Sequence, residues 1–247
     1  LAGGALPLVV KWNERQLHTA LALSTGIFLG AVFLHLLPSL SSMSAGLAQT
    51  GPAADGSLGN LGTHGDETWI WLTVLVGVLG VYLVEALLLR THDHDDQHRH
   101  RAVGYASLVG LSVHAFTAGI GYAAASHDAD LSTTILVAIL AHKGFETFSL
   151  TTVFQLAHFG RARSLATIAV FSLITPAGIL VGNLTTGALG PTGVALFTAL
   201  AVGTFLYVCL CELLVEVFHH REDSLRKIAL LALGIAMTVV FESVGHG

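Results

Sequence analysis

Charge is the scarcest thing in this chain. Asp, Glu, Lys and Arg make up 11% of its 247 residues, against about 25% in soluble domains. With 53% hydrophobic residues and a mean hydropathy of +0.72, so little charge excludes a soluble fold of this length and predicts an all-α polytopic membrane protein. No basic tract with interleaved aromatics occurs, which removes nucleic acid as a partner. The two cysteines, Cys209 and Cys211, stand two apart in an apolar run. On a helix they face different directions and cannot bridge, so no disulfide framework is expected. There is no P-loop to hold a nucleotide and no HExxH pair of a metallohydrolase, and no organic cofactor is expected. The basic n-region and cleavage pattern of a signal peptide are not visible.

What the chain has in abundance is apolar runs. Seven of them, 16–38, 69–89, 102–125, 131–156, 164–182, 193–218 and 228–244, are long enough to span a bilayer. Residues 1–10 are apolar but too short, and read as the end of a helix that begins outside this chain. Gly26 and Gly30 have the GxxxG spacing of close helix contact, and Pro176 predicts a kink or break. If the loops alternate, Lys11, Arg15, Arg90, Arg99, Arg101, Arg161, Arg163, Arg221, Arg226 and Lys227 all fall on one face. The other face carries Asp55, Asp66, Glu67, Asp128 and Asp130 and no Lys or Arg. The positive-inside rule makes the first face cytoplasmic and puts the C-terminus outside, with the cell membrane as the expected location. The remaining basic residue, Lys143, lies within a span.

Ionisable groups at membrane depth are costly and usually functional. In 131–156, His142 and Glu146 are four apart and share a helix face, a spacing that presents two ligands to one divalent metal. Lys143 lies about 100° round the helix and is expected on a different wall. His114, midway along the preceding span, reaches the same depth. Two imidazoles and a carboxylate suit Zn²⁺ first, with Fe²⁺, Mn²⁺ and Cd²⁺ as further candidates. Glu212 and Glu216 share a face near the cytoplasmic end of their span, and with Glu85 are candidates for an exit path. His35, His127, Asp128 and Asp130 gather at the outer face as candidates for an entrance. The tract 90–101, RTHDHDDQHRHR, holds His92, His94, His98 and His100 and could chelate weakly on the cytoplasmic side. The plainer alternatives are an intrahelical His142–Glu146 hydrogen bond, a His114 satisfied by a carbonyl or Ser112, solvated helix ends for Glu216 and Glu85, and a polar linker for 90–101.

The blocks STGIFLGAVFLHLLP, HAFTAGIG, HKGFETFSL, FSLITPAGILVG and GTFLYVCLCELLVE, spread over nearly the whole chain, resemble the ZIP family of zinc/iron permeases. The resemblance implies an eight-span helical bundle with both ends outside, of which residues 1–10 keep only the end of the first helix. It implies a central metal site from the fourth and fifth helices, matched here by His114, His142 and Glu146. Glu212 matches an acidic position near the inner exit, and 90–101 matches a His-rich loop thought to sense cytoplasmic metal. It further implies import of a divalent ion into the cytoplasm by alternating access. Two positions depart from the family pattern. Ala118 stands where relatives carry an acidic residue four after the histidine, leaving one carboxylate at the site. Lys143 stands where some bacterial relatives carry a second-site carboxylate, and FSLITPAGILVG adds no acid, so a single metal is expected. Partners are the divalent ion and the bilayer, with a homodimer left open. The alternatives to transport are a transport-impaired metal-binding sensor, which Ala118 keeps open, and an intramembrane metalloenzyme; the chain is not expected to be an enzyme.

Overall fold

The computed structural model describes residues 2–10, 12–50, 60–89, 96–125, 129–219 and 223–245, and every element among them is helical. In chain order these are α1 (Ala2–Val9), α2 (Glu14–Gly30), α3 (Leu37–Thr50), α4 (Asn60–Val84), α5 (Asp96–Ala125), α6 (Ala129–Leu156), α7 (Arg161–Tyr207), α8 (Leu214–Val217) and α9 (Ser224–Gly245). Three π-helical turns are inserted: Ala31–Leu36 joins α2 to α3, Glu85–Leu89 ends α4, and Val208–Leu213 joins α7 to α8.

The helix starts obey local chemistry. Asn13 caps α2: its side chain accepts the Gln16 N–H at 2.8 Å, and the Gln16 side chain accepts the Asn13 N–H at 3.0 Å. Such a capping box satisfies two donors that the first turn leaves over and contributes on the order of 1 kcal/mol. Helix α2 does not stop at Pro38, where the apolar run was expected to end. It passes through the π-helical turn, in which the Leu37 N–H reaches back five residues to the Val32 carbonyl. The wider turn lets a proline follow without ending the helix. In α7 the expected break at Pro176 is absent. The backbone stays helical there and leaves helical geometry at Gly190 (φ 57°, ψ 178°), a conformation open to glycine and barred to other residues by Cβ clashes. Pro191 then starts the second half with its φ already set.

Five helical stretches among the described residues are long and apolar enough to cross a membrane: Glu14–Leu47, Thr68–Leu87, His100–Ala123, Arg161–Thr185 and Gly190–Val217. Their outer surface is greasy. On α4, Trp69, Trp71, Leu75, Val76, Leu79 and Leu83 are all exposed, and on α7 Val170, Leu173, Leu180 and Leu184. The interior in turn holds Ser24, Thr25, His114, Thr117, Glu146, Thr147, Ser149 and Glu216. A soluble protein would reverse that distribution. The apolar core around these groups is built from Phe28, Leu111, Phe154, Phe171, Phe205 and Cys209. Both cysteines are free, Cys209 buried and Cys211 exposed.

Helices dissolved in lipid gain nothing from excluding water, so close backbone packing has to hold them. A Cβ built on Gly26 would lie 2.1 Å from the Leu231 carbonyl oxygen, and one on Gly234 would lie 2.3 Å from that of Leu23. Helices α2 and α9 therefore touch backbone to backbone. Helices α5 and α7 do the same where Gly178 meets the Phe116 carbonyl, and α4 and α7 where Gly203 meets that of Val74. Gly26→Val should cost at least about 1–3 kcal/mol by forcing α2 from α9, read as a lower thermal midpoint in detergent. Gly46→Val, with nothing within 4 Å of the added carbon, should leave the midpoint unchanged; equal effects of the two would mean that the seam is not tight.

At the end of the bundle where α2 and α9 begin, Arg15 donates two guanidinium hydrogen bonds to the Asp223 carboxylate. Those bonds hold the Asp223 carboxyl below the usual carboxylate range.

Candidate metal centre

The site grows from two neighbouring helices. On α6, one helical turn separates His142 from Glu146, and their side chains meet: His142 Nε2 lies 3.4 Å from Glu146 Oε1. From α5, His114 Nε2 comes to 3.6 Å from the same oxygen. The two imidazole centroids are 5.9 Å apart, and one donor atom from each of the three residues lies within 4.8 Å of the others. Among the described residues this is the one His/Cys/Asp/Glu group that converges so closely. A tetrahedral zinc ion with bonds of about 2.0 Å holds its donors about 3.3 Å apart, so the two distances to Oε1 already approach a ligand spacing.

The walls fix the donors. His114 stacks on Phe205 of α7, centroids 4.2 Å apart and planes 17° from parallel, and Phe205 meets Phe28 of α2 edge-on at 5.2 Å. The ring of His114 is thereby clamped in an apolar slot. His114 and Glu146 are buried, and the His142 side chain keeps 14% exposure. The hydroxyls nearby are committed to their own helices. Thr117 donates to the Val113 and His114 carbonyls, and Thr147 to those of Lys143 and Gly144. Thr117 is thus an unpromising substitute for the acid that Ala118 lacks. Ser149 of α6 donates to Ser24 of α2 at 2.8 Å, tying the site helix to its neighbour.

Lys143 corrects the sequence expectation. It does not address a separate wall: its Nζ donates to Glu146 Oε2 at 2.7 Å and lies 4.4 Å from the centre of the Phe171 ring. Helical neighbours three apart are within reach, and four methylenes let an ammonium fold back along the helix. Glu146 is consequently divided, with Oε1 turned to the two histidines and Oε2 to the ammonium.

The other expected residues scatter. Glu85 begins a π-helical turn and accepts the Tyr207 phenol hydrogen. Glu212 is buried in the π-helical turn Val208–Leu213. Glu216 is fully buried and His100 Nδ1 lies 2.7 Å from its Oε1. His100 was expected in a loop; the described part of the tract, from Asp96 on, is helical, and His100 is buried on α5. His98 is on the first turn of α5, while His92 and His94 lie outside the described residues. His35 is half-buried in a π-helical turn and Asp130 belongs to the start of α6; His127 and Asp128 also lie outside the described residues. Sequence reading missed His18, which is buried on α2 with its Nδ1 4.0 Å from Glu216 Oε1. Its signal was the shared end: residues 18, 100 and 216 all stand at the basic ends of their spans.

An all-helical bundle, apolar outside and polar within, with imidazoles and a carboxylate gathered at mid-depth, is a multi-pass membrane protein of the kind that passes ions. A family model described as ZIP Zinc transporter matches residues 89–242, and the chain belongs to that family. It is 28% identical to Zinc transporter ZIP2 of Mus musculus over 96% of this chain and 91% of that protein. It is 27% identical to Zinc transporter ZIP9-B of Xenopus laevis, covering 98% and 92%. It is 29% identical to Zinc transporter ZIP13 of Pongo abelii, covering 93% and 67%.

Proposed function

We propose that this chain carries a divalent metal ion, Zn²⁺ foremost, through the bilayer into the cytoplasm, with His114, His142 and Glu146 as its central ligands. The observation that supports this most is the convergence of those donors within 4.8 Å inside an apolar shell. Neutral imidazole and carboxylate form a borderline donor set that fits Zn²⁺, Fe²⁺, Mn²⁺ and Cd²⁺ better than Ca²⁺ or Mg²⁺, which prefer oxygen cages. Three protein donors leave one position for water, a partial dehydration suited to an ion that must leave again. The metal approaches Oε1 while Lys143 stays on Oε2, so the ammonium fills the place of a second cation. Glu212, buried in the π-helical turn that follows α7, is the next acidic group towards the basic end and the proposed exit.

Alternating access needs groups of helices that move against one another. The glycine seams support such a division: α2 with α9, α4 with the second half of α7, and α5 with its first half are held by backbone contact and would each move as a unit. The named relatives are transporters, which favours a carrier over an enzyme. Uptake into proteoliposomes that enclose a zinc indicator tests the reading. Saturable accumulation supports it, whereas metal binding without accumulation would favour a sensor.

Ala118, half-buried one turn beyond His114 on α5, gives a further expectation. Ala118→Glu should add a carboxylate beside the metal and tighten Zn²⁺ binding by roughly one to three kcal/mol, about the worth of a charge-assisted contact. Equilibrium dialysis of the purified variant reads this directly. An unchanged or weaker affinity in a folded variant would mean that position 118 does not face the metal.

A further inference from the structure

A second His/Glu cluster lies at the other end of α5, and the proposed central site does not use it. On α5, His114 and His100 are fourteen residues apart, roughly 21 Å along the helix axis. At the far position His100 Nδ1 lies 2.7 Å and His18 Nδ1 4.0 Å from the same oxygen, Oε1 of Glu216. The His18 and His100 rings are 6.2 Å apart, and the His219 ring stands 6.1 Å from that of His100 at 90°. The side chains are deeply buried: Glu216 0%, His18 3% and His100 11% exposed.

We propose that His18, His100 and Glu216 form a second binding site for a divalent transition metal at the basic end of the bundle. The inference deepens the reading that this chain handles divalent metals, but it does not depend on the central site. Its chemistry repeats that of the centre: two imidazoles directed at one carboxylate oxygen, each from a different helix. The distances of 2.7 and 4.0 Å straddle the separation of about 3.3 Å that a tetrahedral ion imposes. The two imidazole donors stand more than 4.8 Å from each other, so the His18 and His100 rings have to turn towards one another to close the site. His219, two residues past α8 and with its ring 6.1 Å from that of His100, would supply a fourth donor, with water as the alternative. Buried carboxylates are held by pairing or by metal. Here the ligands come from α2, which is seamed to α9; from α5, which is seamed to the first half of α7; and from the end of α8. A bound ion therefore bridges helices that belong to different seamed units and staples them together at this end.

The test uses the purified full chain in detergent with Co²⁺ and Zn²⁺ as the only added ligands. The parent should bind two equivalents. His114→Ala/His142→Ala, which disables the centre, should retain one, seen as Co²⁺ ligand-field bands and a zinc-dependent rise in thermal midpoint. Adding Glu216→Gln should remove that equivalent, and adding His18→Ala instead should weaken it at least tenfold. If Glu216→Gln does not fold, the His18→Ala and His100→Ala variants carry the test. The proposal is overturned if the central double variant binds no metal where the parent saturates, or if its retained equivalent ignores all three substitutions. A parent that moves no zinc into liposomes while the retained equivalent follows His18 and Glu216 would end the transport reading and leave the second site standing.

Discussion

Glu146→Ala should abolish zinc uptake and weaken metal binding at the centre by roughly 150- to 5,000-fold, since removing one member of a buried charged cluster costs about 3–5 kcal/mol. Three effects act together. The site loses its one carboxylate, both histidines lose the oxygen they converge on at 3.4 and 3.6 Å, and Lys143 loses the acceptor of its 2.7 Å hydrogen bond. The last effect bears on folding more than on binding, because an ammonium without a counter-charge is expensive at this depth. Lys143→Ala/Glu146→Ala removes both charges and should restore the thermal midpoint without restoring uptake. If the single variant took up zinc at the parent rate, the metal would have to travel by another set of ligands.

Lys143→Asp should raise the number of metal ions bound at the centre by one. The substitution replaces a fixed positive charge by a negative one next to Glu146. Two unit charges at about 4 Å interact by about 4 kcal/mol at an effective dielectric of 20. Reversing one of them therefore changes the attraction for an incoming cation by a large factor. The parent keeps its second position filled by Nζ, braced over the Phe171 ring. The variant offers a carboxylate in the same place, with Glu146 Oε2 released to bridge. Metal content per folded chain, measured by mass spectrometry after dialysis, reads the change. An unaltered stoichiometry would mean that Lys143 does not define the single-metal character of the site.

How far the sequence reaches is clear from particular residues. His142 and Glu146 meet because a period of 3.6 residues makes positions four apart neighbours, and that spacing is visible in the letters alone. The depth of His114 follows from counting residues between charged loops. What the letters hide is the reach of long side chains and the meeting of distant elements. Lys143 points away by Cβ direction and returns by way of its four methylenes. Pro176 looks like the weak point of its helix, yet the backbone turns at Gly190, where a positive φ is needed. His18 stands beside the charged residues that open α2, where a polar side chain is unremarkable. Only the packing of α2 against α8 brings it to Glu216. The His-rich tract reads as a linker by composition, yet His100 lies on α5 and finds that same carboxylate.

Anomalous scattering at the zinc edge, from crystals of the zinc-loaded chain, is the most direct measurement of the central assignment. One peak is expected at the centre, about 2 Å from His114 Nε2, His142 Nε2 and Glu146 Oε1, with Lys143 still on Oε2. A saturated chain with no peak between those three residues, or with two, would contradict it.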